Sequence, residues 1–130
     1  MKVLYLNCNY FTGIRGGWKS YILRGYRYFV HPSKYKHAYI KKLQEIIHES
    51  KADVVCLTEV RSQHLLHFKQ GFPHMFDACK YEWTRWSKIP GLRKNRIAVL
   101  SKDFIHAEKQ FFKTGMKRVF LTFRSIWGEG

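Results

Sequence analysis

The chain has 130 residues, 45% of them hydrophobic, with 24 lysines and arginines against 9 acids and a net charge of +15. That length suits one domain with its own core, the hydrophobic content argues against disorder, and no apolar stretch of about 18 residues exists to span a membrane. Cys8, Cys56 and Cys79 are odd in number and widely spaced, which argues against a disulfide framework or a zinc knuckle and for a reducing compartment. The N-terminus has no basic start with an apolar run and a small-residue cleavage site, so we expect a cytoplasmic protein.

Residues 2–7, KVLYLN, read as a buried strand. Residues 8–33 hold five glycines or prolines and many aromatics, which predicts a long loop with one short helical turn near 18–24. Residues 33–50 carry the clearest helical period: Tyr39, Leu43, Ile46 and Ile47 share one face, while Lys41, Lys42, Gln44 and Glu45 lie mostly on the other. Ser33 is placed to cap that helix. DVVCL, 53–57, is a continuous apolar run, as a strand covered on both faces should be. Strand, helix and strand form a βαβ unit with parallel strands. Farther on, 61–70 predicts a short helix with Leu65, Leu66 and Phe68 inward, 74–79 a strand, 81–95 an aromatic and basic loop, and 96–101 a strand. Residues 106–112 and 117–126 flank a Thr114–Gly115 turn signal and predict an antiparallel hairpin.

The stretch ADVVCLTEV raises a chemical question, because a carboxylate, Glu59, closes an apolar run. An unpaired buried carboxylate costs several kcal/mol or neutralises itself. In a parallel βαβ unit, ligands sit beyond the carboxyl ends of the strands. Asn7 ends the first strand and Glu59 lies just past the second, so neighbouring strands would let both converge on one crevice. Oxygen donors without a thiolate suit a hard ion such as magnesium. Spacing alone leaves a second reading open, in which Glu59 is a favourable charge at the N-terminus of the helix that follows.

Other groups point to chemistry less directly. His64 and His67 are three apart on a predicted helix, but no third ligand is evident, and both read as surface histidines, as does His106. Asp53 reads as structural, pairing with Lys51 or capping a strand start. Cys56 reads as a small core hydrophobe, and Cys8 sits beside the crevice without a histidine to activate it.

The motifs together resemble the endonuclease/exonuclease/phosphatase superfamily. MKVLYLNCNYFTG is similar to its first motif, N-x-N-G, with Asn7 and Asn9 on the two asparagines and Tyr10 where glycine is usual. LTE is similar to its L-Q-E motif and sets Glu59 on the metal-binding glutamate, with Thr58 for glutamine. RIAVLSK resembles its G-x-A-I-L-S-K strand, with Arg96 at an often small position, and KRVFLTFRSI resembles the strand after it, which starts near Arg118. The resemblance implies a mixed-sheet α/β sandwich and phosphoester hydrolysis with Mg²⁺ or Mn²⁺, held by Glu59 and Asn7. It implies substrate contacts at Asn9 and Arg96. It also implies later motifs, an Asp-x-Asn pair and an Asp-His pair, that these 130 residues do not contain. The expectation is therefore a partial domain over 1–130, one sheet plus helices with the C-terminal half missing, inactive alone. A sheet face left uncovered in this way favours self-association.

Two stretches, RGGWKSYILRGYRYF (15–29) and YEWTRWSKIPGLRKNR (81–96), interleave arginine and lysine with tryptophan and tyrosine. Cations neutralise phosphates and aromatic faces stack bases, so Arg15 and Lys19 join the candidate substrate contacts. The same loops suit a phospholipid or inositol phosphate, or fold back onto the core. Gly16 and Gly17 lack the spaced glycines of a phosphate loop. No acid precedes Glu45 while nine lysines and arginines do, and such a field favours a polyanion, nucleic acid first. The alternative function is a non-catalytic basic module that binds nucleic acid.

Overall fold

The computed structural model describes residues 1–8, 18–24, 33–82, 84–89, 94–111 and 119–125. Its strands are β1 (Val3–Asn7), β2 (Val54–Arg61), β3 (His74–Cys79), β4 (Asn95–Ser101), β5 (Ile105–Phe111) and β6 (Val119–Ser125). The α-helices are α1 (Trp18–Arg24), α2 (Ser33–Ser50) and α3 (Ser62–Leu65), with 3₁₀ turns at Leu66–Phe68 and Arg85–Lys88. Four strands make one mixed sheet in the order β1-β2-β4-β3, and β5 and β6 make a separate antiparallel pair. β1 runs parallel to β2, and β4 runs antiparallel to both β2 and β3. The chain is therefore mixed α/β, with a second small sheet where the sequence suggested one sheet alone.

The apolar period of α2 decides how it packs. Ile40, Leu43 and Ile47 are buried, with Tyr39 and Ile46 packed beside them. They join Val55, Leu57, Ala98 and Leu100, which alternation sets on one face of the sheet. The helix ends as Lys51 enters the left-handed region at φ 50°, with its N–H donating to the His48 carbonyl.

Three expectations need correction. β1 is not buried throughout: it is an edge strand whose alternate residues Val3 and Tyr5 are 47% and 62% exposed, because nothing among the described residues covers their face. The central part of that same sheet face is covered, since Val54, Ala78 and Val99 are buried there. Leu66 points outward at 69% exposure, because the chain tightens into a 3₁₀ turn after Leu65, while Leu65 and Phe68 are buried as expected. In exchange His64, read as a surface group, is fully buried. Of the two structural roles expected for Asp53, the structure has the strand-start contact and not a Lys51 pair: its Oδ2 takes the Lys2 backbone N–H just before β1 at 2.6 Å, and it lies 3.9 Å from Lys102.

The predicted helical turn at 18–24 is present, and so is the hairpin, while its Thr114–Gly115 turn lies outside the described residues. Arg118 and the side chain of Ser33 lie outside them too. No helix among the described residues is long and apolar enough to cross a membrane.

Truncating the core should be costly. Leu100→Ala is expected to lower stability by about 2–5 kcal/mol in urea unfolding, whereas Ile22→Ala on exposed α1 should stay within about 0.5 kcal/mol. Equal effects at the two sites would contradict this assignment of the core.

Candidate functional site

The parallel pairing of β1 and β2 sets Asn7 opposite Thr58, and the ladder goes one step further with Cys8 N–H donating to the Thr58 carbonyl at 2.9 Å. The strands are thus neighbours, and β1 ends opposite Thr58, which sets Asn7 beside the stretch of β2 that carries Glu59. The sequence placed Glu59 just past its strand, whereas β2 runs on to Arg61 and Glu59 lies inside it.

A bulge makes that possible. Leu57 pairs with Ala98 and Val60 with Arg96, so β2 advances three residues while β4 advances two. Strict alternation from the buried Leu57 would send Glu59 to the core and Val60 outward. Val60 is instead fully buried in the core. The extra residue resets the alternation and leaves Thr58 and Glu59 both facing away from it. Glu59 absorbs the irregularity in the left-handed region, at φ 53°. That conformation costs a residue other than glycine roughly 1–2 kcal/mol, and such strain persists only where the surroundings hold it.

A cation meets the displaced carboxylate. Lys80 Nζ lies 2.9 Å from Glu59 Oε1, with the side chains only 9% and 21% exposed. Lys80 follows β3, and its N–H donates to the Asn95 carbonyl at 3.0 Å. The attraction is roughly 6 kcal/mol at an effective dielectric near 20. Desolvation costs several kcal/mol per ion, so the two nearly cancel. The pair therefore adds little net stability, yet removing one partner strands the other.

Cys8 packs fully buried beside the carboxylate. Burial first, and the nearby Glu59 charge second, push its thiol from 9.0 up to about 12. Burial alone pushes the Cys56 thiol up. Neither residue is poised as a nucleophile. Thr58 Oγ1 and the Tyr5 hydroxyl are 3.0 Å apart and bridge β1 to β2 on the same face.

The other sequence candidates are scattered. Arg96 lies opposite Val60, and its Nε donates to Asp77 Oδ2 at 2.5 Å. Lys19 is exposed on α1, with its ammonium 5.8 Å from the Trp18 ring. Asn9 and Arg15 lie outside the described residues. The His64 and His67 rings are 6.3 Å apart and tilted, and no group of three metal-ligating side chains occurs among the described residues. A cavity of about 730 Å³ opens elsewhere, lined by His48, Lys51, His67, Phe72 and Lys102 among others, and neither Glu59 nor Asn7 reaches it.

Lys80, Arg61 and Asn95 were missed in the sequence. Arg61 stands opposite Asn95 one step beyond Val60, so all three gather at the edge that carries Glu59. The signal was slight, a lysine just after a six-residue strand, and nothing local announces that β3 ends beside β2's bulge.

Both side chains, Glu59 and Asn7, offer oxygen donors of the kind a small hard cation takes. Glu59 supplies a carboxylate and Asn7 an amide oxygen at one edge, and magnesium commonly takes one or two carboxylates with waters or phosphate oxygens completing its shell. The bond to the Lys80 ammonium holds the carboxylate in place for a positive charge.

Glu59→Gln and Lys80→Met should each destabilise the fold by roughly 1–3 kcal/mol, and the double variant by less than the sum, as a urea double-mutant cycle would show. Strict additivity would deny the pair. The raised Cys8 pKa means that the unfolded chain releases this proton first as pH rises. Its contribution is complete below pH 9.0 and falls away toward about 12. Cys8→Val should therefore lose stability less steeply than the parent above pH 9.0, and parallel curves would contradict the assignment.

Compared with known proteins, the chain matches no family model, no curated protein and no solved structure.

Proposed function

We propose that the chain is the N-terminal portion of a Mg²⁺- or Mn²⁺-dependent phosphoester hydrolase domain of the endonuclease/exonuclease/phosphatase type. The observation that carries this reading is the β1–β2 register, which ends β1 with Asn7 opposite Thr58, the residue before Glu59. The bulge supports it, because it turns Glu59 out of the core at the cost of a left-handed residue.

In this reading Glu59 and Asn7 hold the ion. Bound there, the ion would supply charge stabilisation at a phosphate and a more acidic water. Lys80 and Arg61 add positive charge at the same edge, where a phosphodiester would approach. The wider +15 field draws a polyanion toward the chain, with nucleic acid favoured over phospholipid or inositol phosphate. No Asp-x-Asn or Asp-His pair lies within the 130 residues. The chain therefore supplies ion and phosphate contacts but no general base of that kind, and it is inactive by itself.

The Lys80–Glu59 bond favours one other reading. If the ammonium is the only cation that Glu59 ever meets, the chain is a non-catalytic basic module for nucleic acid, and the carboxylate is structural.

Fluorescence anisotropy with a labelled single-stranded oligonucleotide separates the two. The hydrolase reading expects binding that is strengthened severalfold by Mg²⁺ over EDTA, with the Mg²⁺ increment abolished in Glu59→Gln and no cleavage by the chain alone. Binding that falls steeply with salt but ignores both Mg²⁺ and Glu59→Gln would establish the basic module instead. Metal-dependent turnover by the 130 residues would refute the expectation of an inactive portion.

A further inference from the structure

Lys80 stands near two side-chain oxygens on one face of the sheet. Its ammonium is on Glu59 Oε1 at 2.9 Å. Across the ladder stands Asn95: Ala78 pairs with Ile97, and the next step sets Lys80 opposite Asn95, as its N–H to the Asn95 carbonyl confirms. Opposed residues of an antiparallel ladder leave the sheet on the same side, with Cβ atoms about 4.5–5.5 Å apart. Asn95 is 6% exposed, and its Oδ1 is buried with no hydrogen-bond partner among the described residues. A buried carbonyl oxygen in that state is costly until something donates to it, and two cations stand opposite it, Arg61 on β2 and the long Lys80 side chain after β3.

We propose that Lys80 is the resident cation of Glu59, and that a divalent ion enters only by displacing its ammonium, which Asn95 Oδ1 then accepts. This rests on the reading of Glu59 as a metal ligand and adds how the ligand is guarded. The two cations exclude each other sterically and electrostatically. Magnesium needs its oxygen at about 2.0–2.1 Å, and an ammonium 2.9 Å from the same oxygen occupies that space with like charge. The exchange makes and breaks no covalent bond and moves one flexible side chain. It holds the carboxylate neutralised and oriented while no metal is bound, and it lowers metal affinity by the difference between the two lysine positions.

Calorimetric titration of Mg²⁺ into the full chain tests this, with far-ultraviolet circular dichroism to confirm that each variant is folded. Lys80→Met should bind Mg²⁺ at least about tenfold more tightly than the parent, since a charge-assisted hydrogen bond no longer has to be broken. Asn95→Leu should bind about threefold or more weakly, because the displaced ammonium loses its acceptor. The double variant should match Lys80→Met, because Asn95 has no part to play once the ammonium is gone. Should Lys80→Met not fold, Lys80→Gln, which keeps an N–H donor without the charge, carries the same expectation. Equal affinity in parent and Lys80→Met, with both lost on Glu59→Gln, overturns the exchange and leaves the metal reading standing. Asn95→Leu binding like the parent overturns the role of Asn95. No Mg²⁺ binding by the parent or by either Lys80 variant overturns the metal reading and the exchange with it.

Discussion

A carboxylate on a mostly buried strand must find a cation, and the arrangement around Glu59 follows from that constraint. Its cost if left unpaired is several kcal/mol, a large fraction of a domain's net stability of about 5–15 kcal/mol. The chain meets it twice over. A bulge in β2 rotates Glu59 away from the core while keeping Leu57 and Val60 in it. The end of β3 then brings Lys80 to 2.9 Å from Oε1. Each device needs the other. Without the bulge the carboxylate would enter an apolar layer, and without Lys80 it would lose the cation 2.9 Å from it. The Cys8 thiol, held protonated by burial and by the same negative charge, marks how dry the neighbourhood is.

The sequence was readable where pattern follows local physics. Residues 33–50 carry a helical apolar period, and α2 spans those very residues, Ser33–Ser50. VVCL is a continuous β-branched and apolar run, and it is the central strand that its composition demands. The parallel pairing was legible from strand, helix and strand in order, and it put Asn7 and Glu59 at one edge. What was illegible depends on contacts far apart in sequence. KVLYLN is apolar enough to read as buried, yet its place in the sheet is the edge, which only the strand order β1-β2-β4-β3 reveals. The bulge is a mismatch between two strands, so neither strand announces it alone. Lys80 lies 21 residues from Glu59, and its role arises from β4 running between β2 and β3. Leu66 read as inward because a continued α-helix was assumed, and the 3₁₀ turn changed the phase.

The same geometry links the two functional readings through charge. At the carboxyl edge of β1 and β2, one carboxylate lies among Lys80 and Arg61, in a chain whose basic residues exceed its acids by 15. A polyanion is drawn to such a surface whether or not chemistry follows. What distinguishes a metal centre from a solely electrostatic surface is whether Glu59 is available to an ion from solution or committed to the ammonium beside it. That is a matter of the relative strength of two cations at one oxygen.

The most direct test is to locate a bound divalent ion. Mn²⁺ added at substoichiometric amounts to ¹⁵N-labelled protein broadens the amide signals nearest to it. If Glu59 and Asn7 hold the ion, the amides of Asn7, Cys8, Thr58 and Glu59 broaden first, and Glu59→Gln abolishes the effect. Broadening centred on His64 and His67, or no selective broadening at all, would contradict the assignment of this edge as a metal centre.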